Sequence, residues 1–230
     1  MITMLTTAVR LYVTSDYIIN GEHIMRSRQN WFEGWRLYVV LTVVLATLCI
    51  WIASMRQFDV EGVRMVIRFT ARTSLLFFCL AFSAAALARL RPNPWTRWQR
   101  RNRRYLGLTF AASHGIHAIA IGCFAVMSRP LFMEATSAAS FIFGGIGYAF
   151  IIAMTATSFD RTAAAIGPRV WRILHLSGGY YLWFQFMVSF GKRVPDMPLY
   201  ALFLIPLLVL MALRLIAMAP ARTPRIVGAG

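Results

Sequence analysis

The sequence predicts an all-α integral membrane protein, a bundle of six helices. The chain is rich in apolar residues: 59% of its 230 residues are hydrophobic, and its mean hydropathy is +0.61. Six stretches are long and apolar enough to cross a bilayer, which takes about 20 residues of helix. The alternation of period two that marks the strands of a membrane barrel is absent, so helices are expected throughout.

The six predicted spans follow one another with short polar connections. They are expected at approximately 37–54, 73–88, 105–127, 138–157, 170–190 and 199–215. The second is the shortest and is expected to extend back to Phe69. The sequence therefore divides into a cytoplasmic extension (1–35), a six-span domain (36–218) and a cytoplasmic tail (219–230).

The N-terminal extension does not have the pattern of a signal peptide. Asp16, Glu22 and His23 interrupt it, and it has no sustained apolar core. The segment from Met25 has a more ordinary membrane-protein beginning, so we expect residues before Met25 to be a disordered extension or an over-long start assignment.

Charge predicts the orientation in the membrane. If the termini share a side, that side holds seventeen of the 24 basic residues, and the other side also carries acidic residues. By the positive-inside rule both termini lie in the cytoplasm of an inner-membrane protein. The most basic stretch is the second loop, where Arg97, Arg100, Arg101, Arg103 and Arg104 follow one another closely. We expect it to contact anionic lipid, and its functional interpretation is docking of an acidic partner or of the phosphates of a flavin or nicotinamide.

The net charge of +16 does not indicate a nucleic-acid binder, because the basic residues lie in clusters between apolar runs. Cys49, Cys79 and Cys123 each lie singly within an apolar run, which predicts free thiols.

Three histidines lie within the predicted spans. His114 and His117 are three residues apart in span three, so their rings share a helix face. Small residues flank them, which leaves two interpretations open: a surface against which a flat macrocycle lies, or close helix packing around neutral histidines. Imidazole is the side chain most used to ligate haem iron, and ionisable groups at membrane depth are functional candidates.

His175 repeats the pattern in span five, where Ser177, Gly178 and Gly179 follow it. Axial ligands of one iron must lie at similar depth. With a rise of about 1.5 Å per residue, His175 lies about 8 Å into its span, and His114 and His117 lie about 14 and 18 Å into theirs. Either of the latter remains a candidate partner for His175 at this stage.

Two motifs resemble the ferric-reductase-like transmembrane domain family. One is RRYLGL with His117 thirteen residues after Arg104; the other is TSFDRTAAAIGPRVWRILH, which ends at His175. Within the family, the chain is most similar to the haem-binding membrane subunits of bacterial methionine sulfoxide reductase systems. The resemblance implies a six-helix bundle with b-type haem between spans three and five, and with His117 and His175 as ligands of its iron.

The resemblance has one departure. The family commonly has a second histidine about thirteen residues further along span five, where this chain has Val188. Two stacked haems are therefore not expected, and the remaining interpretations are one haem b or a relative that has lost haem. Gln185 and Met187 lie nearby, and the methionine is expected to serve packing.

Electron partners must be separate molecules in the haem interpretation. The sequence has no GxGxxG fingerprint and no flavin or NAD domain. The donor is then a cytoplasmic flavin reductase or a membrane quinol, and the acceptor a periplasmic protein. The serious alternative is a haem-free scaffold or assembly subunit. A small transporter is disfavoured because the sequence shows no internal repeat and no carboxylate at mid-membrane.

Overall fold

The computed structural model describes residues 32–219, so the expectations for residues 1–31 and 220–230 lie outside the described part. Within it the chain is all-α and has no strand. Eight α-helices are present: α1 (Gly34–Ser54), α2 (Val60–Leu90), α3 (Pro94–Arg101), α4 (Arg103–Met127), α5 (Arg129–Ala135), α6 (Ala138–Ala156), α7 (Asp160–Gly191) and α8 (Ala201–Met218). A single 3₁₀ turn, Pro198–Tyr200, precedes α8.

Five helical segments in residues 32–219 are long and apolar enough to cross a membrane: α1, α2, α4, α6 and α8 with its preceding turn. They agree with a multi-pass membrane protein. The predicted count of six is not confirmed, because α7 is not among them. Its length would suffice, but Arg172, His175 and Gln185 lower the hydropathy of the stretch predicted as span five.

Helix α2 begins well before its predicted start, at Val60 and not near Phe69. The cause is local and polar. Asp59 caps the helix by accepting a hydrogen bond from the Gly62 amide at 2.6 Å. Glu61 forms ion pairs with Arg64 at 3.2 Å and Arg68 at 2.8 Å. The helix therefore continues well beyond its apolar part.

Helix α2 lies at the centre of the fold and packs against α1, α3, α4 and α8. The main core contains large apolar side chains from α2, α4, α7 and α8, including Leu75, Phe78, Leu106, Phe110, Phe186 and Leu207. Buried hydroxyls also join α2 to α4: the Ser74 hydroxyl donates to Ser113 at 2.9 Å, and both residues are 0% exposed. Such pairing satisfies polar groups that would be costly to leave alone in an apolar interior.

The basic second loop forms a short helix, α3. Some of its polar side chains attach it to α2, and others are exposed. Asn93 and Thr96 form a capping box at its start. The Gln99 amide donates to the Leu80 carbonyl at 2.7 Å and to Ser83 at 2.9 Å, which fixes α3 on the end of α2. Arg97 remains exposed.

Helix α7 contains a break where its sequence requires one. Gly167 has φ +76° and ψ 161°, a conformation that favours glycine, and Pro168 follows it. A short first part is thereby separated from residues 168–191, which are about 36 Å long at 1.5 Å per residue.

Close packing of α6 on α7 depends on Gly178. A Cβ atom at this position would lie 2.5 Å from the Met154 sulfur and 3.0 Å from a ring carbon of Phe150. We expect Gly178→Leu to destabilise the protein by about 1–3 kcal/mol through overpacking. The matched control is Gly144→Leu, because a Cβ atom at Gly144 meets nothing within 4 Å. Thermal unfolding in detergent measures the effect, and equal midpoints for the two variants would contradict the packing argument.

Candidate functional site

The structure brings His114 and His117 together on α4, with ring centroids 5.2 Å apart. The His117 Nδ1 atom lies 3.1 Å from the Ile67 carbonyl oxygen and 2.9 Å from the Thr70 hydroxyl of α2. A carbonyl can only accept, so Nδ1 carries the proton and Nε2 keeps its lone pair. His114 Nδ1 is buried and has no hydrogen-bond partner among the described residues.

His175 lies elsewhere, in a cavity of about 360 Å³ that we call the His175 cavity. Its wall comes from α2, α3, α4, α6 and α7, and its most distinctive lining residues are His175, Gly107, Phe82, Phe110, Trp171 and Gly179. The volume falls within the range of about 300–1,000 Å³ typical of small-molecule sites. Four exposed arginines also line it: Arg100, Arg101, Arg103 and Arg104.

Two residues orient the His175 ring: Trp171, on the same helix, and Thr157, at the end of α6. The Trp171 indole stacks on it with centroids 4.2 Å apart and an interplanar angle of 23°. Trp171 Nε1 donates to the Thr157 carbonyl at 3.0 Å. The Thr157 hydroxyl donates to the Ala153 carbonyl at 2.8 Å, so it accepts from His175 Nε2 at 3.1 Å. This arrangement uses Nε2 in the hydrogen bond with Thr157, and Nδ1 makes no hydrogen bond within residues 32–219.

The three histidines do not converge on one point. The His114 ring contacts Phe186, with centroids 6.2 Å apart. Phe186 is eleven residues beyond His175, which corresponds to about 16 Å along α7. His117 lies a further turn along α4, on the face that meets α2. Ligation of a single iron by His175 together with His114 or His117 is therefore not formed in this arrangement.

The small residues beside the histidines include both closely packed positions and positions that line open space. Gly178 packs against α6, and a Cβ atom at Gly179 would lie 3.1 Å from Phe82. On α4, the small residues Ala111, Ala112, Gly115 and Ala118 line a second, apolar cavity between α1, α4 and α6. Gly107 is the glycine that faces the His175 cavity and meets nothing within 4 Å.

Electrostatics at the cavity mouth are strongly positive. Arg101 pairs with Glu33 at 3.1 Å, and Arg104 pairs with Asp160 at the start of α7. The Arg104 guanidinium holds the pKa of the exposed Asp160 carboxyl below its ordinary value. Arg100 and Arg103 have no carboxylate partner in the described part of the chain.

No protein-family model, curated protein or solved structure matches the chain.

The residues of the His175 cavity fit a haem held by one histidine. His175 has an oriented ring with one nitrogen that makes no hydrogen bond within residues 32–219, Gly107 leaves open space in the same cavity, and the mouth is cationic. The described residues contain no cluster of three or more His, Cys, Asp or Glu side chains that could hold a metal ion directly. Sequence reasoning missed Gly107 and Arg214 as residues near this site. An arginine at the end of an apolar span was the available signal for Arg214.

Proposed function

We propose that this chain is a b-type haem protein of the inner membrane that passes electrons from a cytoplasmic donor toward an acceptor on the other side, as the ferric-reductase-like family does. The observation that carries the proposal is the His175 cavity: an oriented histidine with a free ring nitrogen, an open glycine surface and four arginines at the mouth.

The proposed topology has six spans. Residues 168–191 of α7 form the fifth, beside α1, α2, α4, α6 and α8. Both termini are cytoplasmic, because the Arg-rich α3 and the start of α4 carry the densest positive charge. The mouth of the His175 cavity then opens at the cytoplasmic face, within reach of a soluble flavin reductase or of a quinol in the membrane.

Haem, when bound, supplies a one-electron carrier whose potential depends on its axial ligand, burial and hydrogen bonding. This chain's contribution is to hold and orient. His175 would hold the haem iron, and Trp171 and Thr157 fix the orientation of its ring. Gly107 provides space for the macrocycle. His114 and His117 are proposed to support packing between α2, α4 and α6, and not to ligate this iron.

The experiment is a reduced-minus-oxidised absorption spectrum of the detergent-purified protein, with a pyridine haemochrome assay for stoichiometry. We expect a b-type α-band and about one haem per chain. Expression with ample haem followed by no band would overturn the proposal. The chain would then be assigned to the competing class, a haem-free scaffold or assembly subunit.

A further inference from the structure

The cavity mouth holds more positive charge than the protein balances. Of its four arginines, Arg101 and Arg104 have carboxylate partners, and Arg100 and Arg103 have none in residues 32–219. Arg103 lines the same cavity as His175. A ligand that fills this cavity from His175 to the mouth would therefore reach Arg103.

A further arginine, Arg214 of α8, adds to this field from behind the cavity wall. Its guanidinium lies over the Phe82 ring at 4.0 Å and the Tyr180 ring at 5.2 Å, and it donates to the Phe82 carbonyl at 2.9 Å. Its Nε atom is buried and has no partner in the described part of the chain. Arg214 is thus held in place against Phe82, whose side chain lines the His175 cavity.

Like charges held together at the edge of a membrane are costly unless an anion joins them. Guanidinium groups bind carboxylate and phosphate strongly, through two parallel hydrogen bonds. The interior of the His175 cavity is mainly aromatic and aliphatic, with Phe78, Phe110 and Leu182 among its lining residues. The ligand that matches both parts is an amphiphile with an apolar body and acidic groups at one end.

We propose that Arg103, in the field of Arg100 and Arg214, binds the acidic group of an amphiphile whose apolar body occupies the His175 cavity. Two sources could supply the anion. The first is the propionate groups of haem, and for this source the inference rests on the proposed function. The second source with the same chemistry is the phosphate of an anionic phospholipid. In either case Arg103 is a binding residue of the His175 cavity, whereas Arg97 of α3 does not line that cavity and is not part of the site.

The decisive experiment compares haem with haem dimethyl ester, in which the propionates are blocked. Binding is titrated spectroscopically to the haem-free full chain in detergent. We expect the wild-type protein to bind haem at least tenfold more tightly than the ester, since a hydrogen bond between charged groups is stronger than one between neutral groups. Arg103→Gln should weaken haem binding about tenfold and leave ester binding unchanged. Arg97→Gln is the matched control and should alter neither.

A second measurement separates the two sources of the anion. Native mass spectrometry reports phosphatidylglycerol retained from mixed phosphatidylglycerol and phosphatidylcholine nanodiscs. The lipid phosphate is the anion if two results are found together: the wild-type protein binds haem and its ester equally, and the Arg103→Gln variant retains less phosphatidylglycerol than wild type. If neither ligand depends on Arg103, the anion site is wrong. A protein that binds no haem and still loses lipid in Arg103→Gln would refute the proposed function and keep the anion site.

Discussion

His175→Ala should lose its haem almost completely. In the proposed site His175 would hold the haem iron, and alanine has no group that could replace it. The measurement is haem per chain by pyridine haemochrome in protein purified with ample haem. Folding is checked separately by size exclusion and thermal unfolding, because His175 is only half-buried and its loss should leave the fold intact.

The matched controls for His175→Ala are His114→Ala and His117→Ala. Both histidines lie on α4, away from the cavity that holds His175. We expect both variants to retain near wild-type haem. Loss of haem in either variant, at normal stability, would restore the expected pairing of that histidine with His175 and refute the single-histidine site.

Gly107→Leu should prevent haem binding without unfolding the protein. A Cβ atom at Gly107 meets nothing within 4 Å, so a leucine is accommodated and its side chain occupies the His175 cavity. Leucine is also a better helix former than glycine, so the free energy of unfolding should not fall. Haem content should drop at least tenfold, again measured by pyridine haemochrome.

Gly122→Leu is the control for Gly107→Leu. Gly122 lies on the same helix, and a Cβ atom there also meets nothing within 4 Å, but it does not line the His175 cavity. Gly122→Leu therefore makes the same change in helix propensity as Gly107→Leu but does not reduce the volume of the His175 cavity. Equal haem content in the two variants would place the bound haem outside this cavity.

Much of the fold was predictable because its signals are local. Apolar runs of sufficient length predicted the helices at α1, α4, α6 and α8 to within a few residues at most ends. The start of α2 could not be predicted in this way, because the Asp59 cap and the ion pairs of Glu61 extend the helix beyond its apolar part. An apolar run predicts only the buried part of a helix. A polar N-cap can extend the same helix into polar sequence, as it does here.

By itself, the sequence determined that the chain is helical and that its helices are apolar enough to cross a membrane. It also placed three histidines next to small residues within these helices. Only the tertiary structure decided which of them share a site. The relative depth of residues on α4 and α7 depends on how far one helix is shifted along the other. The contact of His114 with Phe186 shows that shift. It places His175 beside Arg103 and Gly107 and leaves His117 bonded to α2. Residue spacing specifies position within a helix, whereas packing between helices specifies the site.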